Sequence, residues 1–96
     1  MFEWDTTKAV SNLQKHGVSF DEAKTVFADP EALDGPDLTH SAHEPRFLRL
    51  GRSSASRVLM LAYTVRRSGD GEAIRIISAR RASRKERTAY HAHSTD

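Results

Sequence analysis

The side chains best equipped for chemistry stand where an apolar run gives way to positive charge. In residues 74–87, IRIISARRASRKER, the β-branched Ile74, Ile76 and Ile77 are followed within a few positions by the guanidinium groups of Arg80, Arg81, Arg84 and Arg87. A buried strand that ends in arginines holds rigid cations toward a polyanion. A second apolar run, residues 58–65, ends in Arg66 and Arg67, and Arg46 and Arg49 open a third. The expectation is that Arg66, Arg80 and Arg81, with Arg46 or Arg49 from the neighbouring strand, converge on a phosphodiester. There their charge would hold the substrate and stabilise a pentavalent transition state. The competing reading pairs each arginine with an acid elsewhere in the fold.

Candidates for proton transfer are less sharply marked. His43 and Glu44 precede the Arg46 strand, and a histidine works as acid or base near neutral pH. His16 and Tyr90 are comparable, although His16 also suits the negative end of a helix and Tyr90 a core with a wet hydroxyl. His40-x-x-His43-Glu44 has the look of half a metal site, but a closed site needs more ligands than the remaining histidines (His16, His91, His93) supply. No metal and no cofactor is expected. Phosphate-binding loops, dinucleotide fingerprints and serine elbows are missing from the sequence.

Charge is divided along the chain. Residues 1–45 carry three basic and nine acidic groups, net −6, whereas residues 46–96 carry twelve basic and four acidic groups, net +8, and eleven of the twelve are arginine. Arginine, unlike lysine, grips phosphate or carboxylate bidentately. Ninety-six residues make one domain, 1–96, and the lack of cysteine excludes disulfides and thiolate metal sites. No stretch has the apolar length of a signal peptide or membrane span, so a cytoplasmic protein without membrane contact is expected.

The elements that must position these groups follow from caps and periodicity. After a short strand or apolar lead-in at residues 1–4, Asp5 caps a helix that ends in Lys15 and His16 before Gly17. Ser19 and Glu22 form a capping box for a second helix bearing Ala23, Val26 and Phe27, stopped by Asp29-Pro30. Residues 31–44 read as loop, with room for a short edge strand in residues 32–38. Strands follow at 46–50, 58–65 and 73–79, joined by turns at 52–56 and 68–71, which makes a meander. Ser83 and Glu86 form another capping box for a last helix over residues 83–91, and residues 91–96 are expected to fray. The fold class is α+β: two N-terminal helices, an antiparallel meander of three to four strands and a C-terminal helix, with the helices on one face. Period 2 sends Val58, Met60, Ala62, Thr64 and Arg66 to the open face.

Three segments resemble a known family. The opening WD-x-x-K-x-x-x-N-x-x-KHG-V-x-F (Trp4 to Phe20), the central RFLRLGRS and RVLMLAYTVR, and the ending R-I-I-S-A-R-x-A-x-x-x-E-R (Arg75 to Arg87) are similar to the BrnT toxins of type II toxin-antitoxin systems, in order and over nearly the whole chain. The resemblance implies a RelE-like fold and a metal-independent endoribonuclease that inhibits translation. It further implies neutralisation by a BrnA-type antitoxin with a ribbon-helix-helix domain, in a 2:2 complex that reaches operator DNA only through the antitoxin. Family-motif positions are Lys15 and His16 in KHG, Arg46, Arg66, Arg80, Glu86 and Tyr90; Arg81 departs from the small residue or proline usual there. The cations fall to Arg66, Arg80 and Arg46, with Arg49, Arg81 and Arg84 as further phosphate contacts. Lys15, His16, His43, Glu44 and Tyr90 compete unranked for proton transfer. The alternative is a non-catalytic cationic module for RNA or protein, including a decayed toxin that acts only as co-repressor.

Overall fold

A computed structural model describes residues 1–40 and 43–94. Strand β1 (Phe2–Glu3) leads into helix α1 (Thr6–His16), whose first turn is capped by the Asp5 carboxylate accepting from the N–H groups of Thr7 and Lys8. Gly17, at φ 68°, turns the chain out of α1 in the left-handed conformation that glycine adopts without strain. The Ser19 hydroxyl accepts from Glu22 N–H and starts α2 (Phe20–Ala23). One α-turn is all that forms, and residues Lys24–Ala28 tighten into a 3-10 turn. Thr25 Oγ1 donates to the Glu22 carbonyl at 2.6 Å, a local bond that competes with helix propagation, so the second helix is shorter than its sequence suggests.

The remaining strands are β2 (Leu33–Pro36), β3 (Phe47–Arg52), β4 (Val58–Ser68) and β5 (Gly71–Arg81), followed by α3 (Arg84–Ser94). They form one sheet in the order β1-β5-β4-β3-β2, antiparallel throughout except where β1 lies parallel to β5. The expected meander is therefore present, with a short strand added at each edge. β4 and β5 run past their expected ends because Ser68 pairs directly with Gly71 and the ladder continues to the turn. Helix α3 carries both bonds of its capping box, Glu86 N–H to Ser83 Oγ and Ser83 N–H to Glu86 Oε1. It continues to Ser94, beyond the expected end at His91; the expected loop and tail include residues 41–42 and 95–96, which lie outside the described residues.

One sheet face carries the main core: Leu59, Leu61, Ile76 and Ala79 pack against Val18, Phe20, Ala23 and Val26. Gly51 sits under this layer, where a Cβ would stand 2.8 Å from Val26 Cγ1 and 2.9 Å from Ala32 Cβ. The helices do not all share that face. Helix α3 closes one end of the other, placing Tyr90 with Leu50, Val58 and Ala82, so Val58 is buried rather than open. Thr64 is also buried, its hydroxyl donating to the Pro45 carbonyl at 2.6 Å. What stays open is the middle of that face, around Met60 and Ala62. No helix among the described residues is long and apolar enough to cross a membrane.

Candidate active site

The open part of the sheet forms a cleft of about 550 Å³ with an apolar floor of Leu48, Met60, Ala62 and Ile77. His16, Asp37, His40, Arg46, Arg80 and Glu86 surround it. Each wall has a structural cause. On the β5 side, β1 pairs only as far as Arg75, leaving the edge of β5 open around Ala79. The Asn12 side chain of α1 takes the place of the missing strand: Nδ2 donates to Ala79 O at 2.8 Å and Oδ1 accepts Ala79 N–H at 3.1 Å. A second Nδ2 bond, to Val18 O at 2.9 Å, fixes the turn after the helix, and the amide is buried. The last turn of α1 is thereby held against β5 and His16 reaches the cleft.

On the opposite side, Asp37 N–H donates to Arg46 O at 2.8 Å, which extends the β2–β3 ladder by one pair and aims Arg46 along the same face as Leu48. Asp37 accepts from Thr39 N–H and contacts His40 Nδ1, each at 3.1 Å. Burial pushes the Asp37 carboxyl up, but the His40 and Thr39 bonds prevail and leave it below its usual value.

Arg80 occupies the third side. Its Nη1 donates to Glu86 Oε1 at 2.8 Å and to Arg81 O at 3.2 Å, and its Nη2 to Glu86 Oε2 at 2.9 Å. A guanidinium has five N–H donors. The Nε–H and one Nη2–H, which make up the side-on edge of the fork, have no partner among the described residues. Such an edge matches two oxygens of a phosphate. The Arg80 hydrogen bond is the main reason the Glu86 carboxyl is pushed down to about 2, against the cost of its burial; the Ser83 cap bonds add to it. Glu86 thus joins the helix cap to the orientation of Arg80.

Other expected site residues lie elsewhere. Arg66 shares the face of Met60 and Ala62, but Met60 is the partner of Arg80 and Arg66 is six positions further along β4, roughly 20 Å at strand rise. It pairs with Glu44 at 3.4 Å, so neither Arg66 nor Glu44 converges with Arg80. Arg49 is on the core side, bound to Asp34 at 2.8 Å and stacked 5.0 Å from the Phe27 ring. Tyr90 is buried under α3 and donates to Asp29 Oδ2 at 2.7 Å; burial pushes its hydroxyl pKa up. Lys15 is exposed on α1 and does not line the cleft. Arg81 pairs with Leu59, on the core side, and lines a separate concavity with Arg52, Arg57 and Arg87 at the end of the sheet; Arg84 lies on the outer surface of α3.

Ion pairs among the described residues that join the acidic half of the chain to the basic half include Glu3–Arg75, Glu22–Arg57, Asp34–Arg49 and Glu44–Arg66. For those arginines the pairing alternative describes the structure. Asp37 was not foreseen as a cleft residue, and His40 was weighed only as half a metal site. Asp-x-Thr just after a short strand is an Asx-turn pattern that could have pointed to the turn that holds them. Among the described residues, no three His, Asp or Glu side chains gather as metal ligands would.

Comparison with known proteins places the chain. A family model described as "Ribonuclease toxin, BrnT, of type II toxin-antitoxin system" matches residues 4–86. Among solved structures, the 1.1 Å crystal structure of the Brucella abortus ribonuclease toxin, BrnT, is similar with a TM-score of 0.64, at 24% identity over 88% of this chain and 99% of that one. That likeness concerns the fold: three helices and a five-stranded sheet in an α+β arrangement. No curated protein matches.

Proposed function

The chain belongs to the BrnT family of ribonuclease toxins of type II toxin-antitoxin systems, and on that premise we propose that it is an endoribonuclease whose active site is the sheet cleft between His16, Arg46 and Arg80. Membership of a type II system implies a protein antitoxin as partner. The observation that supports the placement is Arg80 itself, a guanidinium fixed by the Glu86 carboxylate that lines the same cleft as Arg46 and His16.

In this reading the cleft works without a metal. RNA supplies its own nucleophile, the 2′-hydroxyl, so the protein has to bind the phosphate, stabilise the charge on its oxygens and move two protons. Arg80 and Arg46 neutralise the non-bridging oxygens, and the apolar floor gives sugar and base a surface to rest on. His16 is one proton-transfer group. Glu86 positions Arg80 and takes no proton, because its pKa of about 2 keeps it ionised at working pH. The wider assignment follows the family: a RelE-like layout, arrest of translation in the cytoplasm by cutting RNA, and neutralisation by a BrnA-type ribbon-helix-helix antitoxin in a 2:2 complex that carries the toxin to operator DNA. Arg66, Glu44, Arg49 and Tyr90 are left out of this site and given structural roles.

The test is inducible expression of the wild-type chain and of Arg80→Ala in bacteria lacking an antitoxin, with growth and total RNA followed together. Arrest with fragmented RNA in the wild type, and neither with a folded Arg80→Ala protein, supports the assignment. Normal growth with intact RNA at confirmed soluble expression refutes it and favours a non-catalytic module.

A further inference from the structure

The cleft holds a second imidazole, exposed itself but in contact with a buried carboxylate. His40 lies on the β2–β3 loop and His16 beside β5, with β4 between, so the two residues line the same cleft from its opposite walls. Its Nδ1 is 3.1 Å from Oδ2 of Asp37, a buried carboxylate anchored to the β2–β3 ladder by its own backbone bond to Arg46 O. The other Asp37 oxygen accepts from Thr39 N–H at 3.1 Å. A carboxylate accepts only, so the ring proton belongs on Nδ1 and the lone pair on Nε2. A buried acid that fixes the tautomer of an accessible imidazole is the arrangement that makes histidine an effective base.

Resting on the ribonuclease reading above, we propose that His40 is the general base of the cleft, with Asp37 as its positioning residue and His16 as the general acid. His40 Nε2 takes the proton from the 2′-hydroxyl, and the 2′-oxygen forms a bond to phosphorus. The bond from phosphorus to O5′ breaks, its electron pair going to O5′, and His16 donates a proton there. The products are a 2′,3′-cyclic phosphate and a 5′-hydroxyl; one proton is taken up and one released. Asp37, Arg46, Arg80, Glu86 and His16 are the charged or titratable groups around the same cleft.

The experiment measures kcat and KM for cleavage of a mixed-sequence RNA transcript by the full-length protein from pH 5 to 9, in wild type, His40→Ala and Asp37→Asn. His40→Ala is expected to lower kcat about 100-fold or more with KM little changed, and to remove the limb on which activity falls as the base protonates. Asp37→Asn should lower kcat about tenfold while keeping that limb. Because Asp37 is buried and its variant can misfold, nitrogen-15 NMR of the intact wild type provides a second reading: the Nδ1–H tautomer at His40 supports the proposal and the Nε2–H tautomer overturns it. Wild-type cleavage with His40→Ala equally active overturns it and leaves the ribonuclease reading standing. A wild type that cuts no RNA removes both.

Discussion

Removing the Asn12 side chain tests how the cleft wall is built. The amide makes three hydrogen bonds, at 2.9 Å to Val18 O, 2.8 Å to Ala79 O and 3.1 Å from Ala79 N–H, and it is 7% exposed. Val18 and Ala79 are themselves buried, so Asn12→Ala leaves two carbonyls and one N–H without water. At about 1 kcal/mol net per bond, and somewhat more where the orphaned partner is buried, the loss is roughly 3–4 kcal/mol. A small domain has about 5–15 kcal/mol in all. Urea unfolding should show the midpoint falling by roughly 2–4 M at unchanged slope, for a slope of about 1–1.5 kcal/mol/M. Asn12→Asp should fare no better, since it keeps the acceptor for Ala79 N–H but sets a carboxylate against two carbonyls. A loss below about 1 kcal/mol for Asn12→Ala would refute the reasoning, because it would mean that the open edge of β5 does not depend on this amide.

Three further outcomes follow from the same geometry. Gly51→Ala places a methyl 2.8 Å from Val26 Cγ1 and 2.9 Å from Ala32 Cβ, and should cost about 1–3 kcal/mol by thermal or urea unfolding. Arg66→Ala, remote from Arg80 along β4, should change the rate of RNA cleavage by less than about threefold and stability by about 0–1 kcal/mol. The Glu86–Arg80 pair should fail in acid. Glu86 titrates at about 2 in the fold against 4.5 in the open chain. Its folded-state pKa is lowered, so its contribution is fully present above pH 4.5 and is lost as pH falls toward 2; allowing for solvent screening, it amounts to about 1–2 kcal/mol. Unfolding midpoints of wild type and Glu86→Gln should therefore differ at pH 6 and converge near pH 2.

Local signals in the sequence located the elements well. Asp5, Gly17, Ser19 and Ser83 mark helix ends because a cap is decided by a few neighbouring residues, and the turns around Ser56 and Gly69 separate the strands for the same reason. The second helix was overestimated because Thr25 back-bonds to Glu22. The site was less legible. Period 2 assigned Arg66 to the correct face, but a face says nothing about position along a strand, and the β4–β5 register carries Arg66 away from Arg80. Val58 is on the expected face but buried, because α3 folds back over its end of the sheet, a contact between residues far apart in sequence. The Asp37–Thr39 turn is local, but its place beside the cleft depends on the Asp37 N–H bond to Arg46 O, a pairing between separate segments that no local pattern encodes.

The most direct measurement of the central claim is the rate and product chemistry of RNA cleavage by purified protein in the presence of a chelator, for wild type, Arg80→Ala and Arg80→Lys. The cleft account predicts wild-type cleavage that leaves 2′,3′-cyclic phosphate and 5′-hydroxyl ends. It predicts a loss of about 100-fold or more for Arg80→Ala, and only partial recovery with lysine, which keeps the charge but lacks the fork. Cleavage by Arg80→Ala at the wild-type rate would contradict it.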